Sequence, residues 1–258
     1  MTTTPQDGPE ANDRRLGLLR FIARLTPGQS LYREGTRSPW SAVYMELPKL
    51  ELEALGEKAP PVVEEHMSRA LAHIHRRLDC CDFSMAALLR MLYRYPRSRL
   101  LTPQLREAIG QACIDHIYWV DEPGEEHMCF CTENHQIIHH TNELLAGQMF
   151  PDRVFSNNGQ TGRWHRQHAE DMIARWLDWR IRFGYSEWNS NCYYDEDLMA
   201  LPNLVDYAER PELCRRSAGL LDLTFLHTAI NQRYNPYSLA HPEGADALRT
   251  IELVPGQA

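Results

Sequence analysis

The sequence predicts an all-α protein built from antiparallel helical hairpins, and three observations carry that prediction. Apolar residues recur at three- and four-residue spacing through most of the chain. Runs that alternate at period two with β-branched residues are nearly absent. The helical segments, of about 13–20 residues each, are joined alternately by short turns and long polar loops, the layout of stacked helical pairs. No repeat of fixed period stands out, which disfavours a tetratricopeptide-type array.

A chain of 258 residues is long enough to bury a sizeable core. Residues 11–231 read as one domain, after a disordered polar lead (1–10) and before an irregular tail (232–258) that reads as a shortened end. The 43% hydrophobic and 24% charged fractions are those of an ordinary soluble protein. No run of about 18 apolar residues is present to span a membrane. The start, MTTTPQDGPEANDRR, has no apolar stretch behind its charges, so it is not a secretory signal. The seven cysteines are then expected as reduced thiols in the cytoplasm, with Cys80 and Cys81 as adjacent half-buried thiols. The formal charge of −8, without a dense Lys/Arg run, speaks against nucleic acid as a partner.

In chain order, Leu16, Leu19, Ile22 and Leu25 mark a helix over 11–25 that Pro27-Gly28 ends. Trp40, Val43 and Tyr44 precede a short helix that starts at Pro48 and stops near Gly56. Val63, Met67, Leu71 and Ile74 define a helix over 62–78. After a break at 80–82, the next helix runs over 83–95 to Pro96. Thr102-Pro103 supply an N-cap and first-turn pair for a helix reaching Trp119. A loop rich in Pro, Gly and acid follows over 121–131. Further helices are predicted over 132–147, 163–183, 194–209 and 211–231, with Pro202 as a kink and Pro211 as a start.

The stretch 129–194 carries the chemistry. On the helix from Thr132, a plain N-cap residue, Asn134 opens one stripe, and His135, His139 and Asn142 form the next stripe round. Such a row can line a polar cleft or bond to neighbouring loops. His127, Cys129, Cys131, His135 and His139 have a composition that suits zinc, but their spacing matches no established finger or protease pattern, so no cofactor is expected. Asn157-Asn158-Gly159 and Thr161-Gly162 permit turns and a close backbone approach. On the helix from Arg163, Ala169, Met172, Ile173 and Trp176 form a core stripe, with His165 and His168 near its start. Trp188 sits in a polar loop and is a candidate platform for a sugar ring. The loop around it supplies Glu187, Asn189 and Asn191, and leads to Tyr193 and Tyr194; phenols can serve as general acid or base, and amides can stabilise developing charge. Asp195, Glu196 and Asp197 at the next helix start read as capping, solvated acids.

Asn134-His135 on one helix, followed by Tyr193-Tyr194 leading into DEDLMALPNLVDYA, resembles the alginate-lyase and chondroitin-lyase type of α/α-toroid polysaccharide lyases over about 120–230. The resemblance implies an incomplete toroid of helical hairpins around a groove. It also implies that Asn134 neutralises a uronate carboxylate, that His135 is a base or its helper, and that Tyr193 or Tyr194 donates the proton. The family expects an arginine shortly before that tyrosine, where this chain has Glu187, Asn189 and Asn191.

The expected function is therefore cleavage of a glycosidic bond in a poly- or oligosaccharide by lyase-type β-elimination. Asn134, His135, Glu187, Tyr193 and Tyr194 would be catalytic, and His139, Asn142, Trp188, Asn189 and Asn191 substrate-binding. Hydrolysis would instead need two carboxylates, with Glu133 and Glu187 the first pair and Glu143 and Asp195 competing. A non-catalytic glycan-binding scaffold and a zinc-dependent hydrolase are the other readings.

Overall fold

A computed structural model describes residues 9–25, 38–187, 190 and 193–231. The lead, the tail, Trp188, Asn189 and Asn191 lie outside the described residues, apart from the two positions of the lead that begin the first helix. The fold is all-α. The helices are α1 (Pro9–Ala23), α2 (Pro39–Tyr44), α3 (Leu47–Ala54), α4 (Glu64–His75), α5 (Cys81–Arg94), α6 (Pro103–Ile114), α7 (Glu133–Met149), α8 (Gly162–Phe183), α9 (Tyr194–Tyr207) and α10 (Pro211–Asn231). No described helix is long and apolar enough to cross a membrane. The chain forms two compact units, divided between Cys113 and Ile114.

In the first unit, α1 packs on α3, α2 packs on α4 and α5, and α4 packs on α5. Leu50, Met67, Ile74, Phe83, Leu88 and Met91 are among its buried side chains. Two buried acids tie the helices together. Glu46 accepts from Lys49 at 2.7 Å and from the Val63 amide at 3.0 Å, and lies 2.7 Å from His66 Nδ1. Glu51 accepts from Arg15 at 2.5 Å, Arg94 at 3.1 Å and the Tyr95 hydroxyl at 2.7 Å. The predicted break at 80–82 is a left-handed Cys80 (φ 63°), after which α5 starts two residues ahead of the sequence reading. Neither Cys80 nor Cys81 forms a disulfide.

Thr102 caps α6 as expected, accepting from the Leu105 amide at 3.2 Å. The helix stops at Ile114 rather than Trp119, because the Ile114 carbonyl accepts from the Ser156 amide at 3.1 Å. His116, Ile117 and Tyr118 are then buried in irregular backbone.

In the second unit, α8 runs antiparallel to α7. The α7 start meets the α8 end, where Trp176 Nε1 donates to the Glu133 carbonyl at 2.9 Å. The α7 end meets the α8 start, where a Cβ on Gly147 would stand 2.5 Å from the Gly162 carbonyl. The close approach read into Gly162 is thus to the chain's own backbone: a Cβ there would collide with the Phe150 carbonyl. Thr161 caps α8 by accepting from the Trp164 amide at 3.4 Å.

Helices α9 and α10 form a second antiparallel pair. Cys214 donates to the Ala208 carbonyl at 2.9 Å at one end, and Tyr185 links Tyr194 (ring centroids 4.9 Å apart) to Thr224 (2.8 Å) at the other. Gln148 joins the ends of α7 and α9 by donating to the Tyr207 carbonyl at 3.0 Å and accepting from the Glu209 amide at 3.0 Å. Helices α7 and α9 therefore run parallel, with their starts at the same end. Helix α7 is buried on almost every side; only Gln136 and the last residues gain partial exposure. Its polar side chains consequently have to find partners inside the protein.

Candidate functional site

The starts of α7 and α9 bring the two halves of the 129–194 stretch together. Asn134 Nδ2 donates to Glu196 Oε2 at 2.5 Å across 62 residues of sequence. Asn134 Oδ1 accepts from the His135 amide at 2.6 Å and from the Thr132 hydroxyl. Thr132 has the extended backbone of an N-cap, but its hydroxyl holds Asn134 instead of capping the helix.

Beside Asn134, Glu133 is the clamp of this end. Its carboxylate accepts from the Arg180 guanidinium, from the Ser186 amide at 2.8 Å and from the Glu187 amide at 2.9 Å. Arg180 also donates to the Ser186 hydroxyl at 2.9 Å and lies 5.6 Å from the Trp176 ring centroid. The expected Glu133–Glu187 pair for hydrolysis is therefore corrected: Glu133 is committed to holding α8 and the following loop. Arg180 is the residue that sequence reasoning missed. It supplies the cation at this end from the last turn of α8, where its register on the helix was the only signal available.

Asp197 overturns another expectation. It was read as solvated, yet it is 1% exposed, and neither carboxylate oxygen has a hydrogen-bond partner among the described residues. Burial, with the negative charges of Glu133, Glu187 and Glu196 around it outweighing Arg180, pushes its carboxyl well above the ordinary range. Glu196, also read as solvated, is half-buried and bonded to Asn134; Asp195 is exposed by surface area, yet burial by surrounding protein atoms pushes its carboxyl up to about 6.

Of the two adjacent tyrosines, Tyr194 packs inward on Tyr185, while Tyr193 is part-exposed. Glu187 is part-exposed as well. His135 is 7% exposed, with its ring 6.2 Å from that of His139. His139 and Asn142, read as substrate-binding, are both fully enclosed. His139 packs 4.5 Å from the Phe130 ring and 6.0 Å from His116, in the interior rather than on a cleft. Among the described residues, no metal-holding group of three includes His127, Cys129 or Cys131. Glu143 lies roughly 13 Å along α7 from Asn134 at helical rise, which removes it from this end.

Between α7 and α8, on the side of the Glu133–Arg180 clamp, lies a cleft of about 320 Å³, lined by Trp119, Gln136, Met172, Arg175, Trp176 and Trp179 among others; Asn134, Glu187, Tyr193 and Glu196 do not line it. Trp176 is buried, as the core stripe predicted, but Trp179 is 56% exposed and offers a ring face. Comparison of the chain with protein-family models, curated proteins and solved structures finds no match.

Proposed function

We propose that the chain is a carbohydrate-active enzyme that cleaves a glycosidic bond at the paired starts of α7 and α9. The observation that carries this reading is the 2.5 Å bond between Asn134 and Glu196, which gathers acids, an amide, a histidine and a tyrosine from distant segments at one end of parallel helices. The cleft between α7 and α8, which meets this end at Arg180, supports a glycan as the ligand. Indole faces stack on the C–H faces of sugar rings, and Gln136 and Arg175 can bond to hydroxyls. Two side-by-side hairpins with parallel α7 and α9 also suit a segment of the toroid that the resemblance implies.

The charge balance favours hydrolysis of an uncharged glycan. Arg180 is neutralised by Glu133, leaving Glu187, Glu196 and the buried Asp197 as the acids of the site. A uronate carboxylate entering there meets like charge, which costs more as water is excluded. Glu187 and Glu196, both part-exposed, are the pair for acid and base work, with Asp197 beneath them. Arg175 at the cleft favours the second reading, β-elimination on a uronate, with His135 and Tyr193 moving the proton.

One assay separates them. The protein is incubated with neutral glycans and with uronate polymers, and both new reducing ends and the ultraviolet absorbance of unsaturated uronates are followed. Reducing ends without that absorbance establish hydrolysis, and absorbance establishes elimination. Neither signal across the panel refutes the enzyme and leaves a glycan-binding scaffold. Loss of activity in Glu187→Gln and Glu196→Gln, with Asn134→Ala weakened, places it at these helix starts.

A further inference from the structure

Away from that end, the middle of α7 carries a second polar cluster. Glu143 is fully enclosed, and Nδ1 of His165, on α8, lies 2.8 Å from its Oε1. Glu122, from the loop before α7, completes a triad in which one ligand atom from each residue lies within 4.8 Å of the others. Each member is held from outside. Glu122 accepts from the Tyr118 amide at 2.8 Å and from Asn157 Nδ2 at 2.9 Å. His165 Nε2 lies 3.1 Å from Asn158 Oδ1, and His168 Nδ1 lies 2.9 Å from Glu143. His140 Nδ1 stands 3.6 Å from the other Glu143 oxygen.

We infer that Glu122, Glu143 and His165 form a binding site for one divalent transition-metal cation of the zinc or manganese class. Two carboxylates this close in a half-dry setting repel each other, and a dication offsets both charges at once. One imidazole with two carboxylates is a donor set of intermediate hardness, which suits Mn²⁺ or Zn²⁺ and disfavours a thiolate-seeking ion. Carboxylates and a histidine already oriented by amides and neighbouring histidines are what a preorganised metal site needs, because the outer bonds fix tautomer and direction. The alternative is an internal ion triad in which a proton on His165 does the cation's work. That alternative predicts no metal.

The test is calorimetric titration of the chelator-stripped full chain with Zn²⁺ and with Mn²⁺, alongside elemental analysis of the protein as purified. One equivalent bound, weakened about 100-fold or more in Glu122→Gln and in His165→Gln, supports the site. Glu122 is part-exposed, so Glu122→Gln keeps the test open if His165→Gln does not fold. The cobalt-loaded protein should show no thiolate charge-transfer band, and Cys129→Ser should bind unchanged. Failure to bind either ion overturns the inference. So does binding that persists in Glu122→Gln but is lost in the cysteine variant, which would place the ion elsewhere.

Discussion

Glu133→Ala is the perturbation that most directly interrogates the candidate site. Glu133 is 6% exposed and Arg180 8% exposed, so the substitution strands a guanidinium in a place water barely reaches. Removing one partner of a buried ion pair costs about 3–5 kcal/mol, because the remaining charge loses its compensation. The Ser186 and Glu187 amides lose their acceptor as well, but they lie in a part-exposed loop where water substitutes for much of it. The expected loss is therefore about 3–5 kcal/mol, a large fraction of a domain's stability. Urea unfolding followed by tryptophan fluorescence measures it, since Trp176 contacts the same clamp. Adding Arg180→Met should recover much of the loss by removing the stranded charge. A single-variant loss below about 1 kcal/mol, the value of a solvated surface pair, refutes the clamp.

Further outcomes follow from the same geometry. Asp197 has a folded-state pKa raised above its ordinary 3.8. Its contribution is therefore fully present below that value and is lost as pH rises through the raised one. Urea melts of Asp197→Asn should show a smaller stability decline than the wild type between acid and alkaline pH; equal slopes would refute the burial argument. Gly147→Ala drives a Cβ to 2.5 Å from the Gly162 carbonyl and 2.7 Å from the Arg166 amide, so it should cost about 1–3 kcal/mol by overpacking. An unchanged urea midpoint would mean that α7 and α8 do not cross there. Trp179→Ala should leave stability within about 0.5 kcal/mol, since the ring is 56% exposed. It should weaken glycan binding by about two- to tenfold, measured by calorimetry with the oligosaccharide that the activity panel identifies. Unchanged affinity would remove this cleft from the glycan reading.

By itself the sequence determined the helices, because local periodicity, capping residues and prolines act over a few residues. Thr102 as a cap, Pro211 as a start and the Trp176 stripe are all present as read. It also marked Asn134-His135 and the 187–194 loop as unusual, since so many polar groups beside apolar stripes need a reason. Tertiary structure alone decided what those groups do. Helical register could place His139 and Asn142 on one face, but not reveal that this face is packed interior. Glu133 and Glu143 are both acids on α7, yet one is bound by an arginine 47 residues away and the other lies among histidines of α8. Asp197 differs from the exposed Asp195 only by which side of α9 faces α7 and the Glu187 loop. Charge and burial depend on neighbours brought together across the fold, and no local pattern encodes those neighbours. The all-α class was thus legible in the chain, while the composition of its polar clusters had to wait for the packing of α7, α8 and α9.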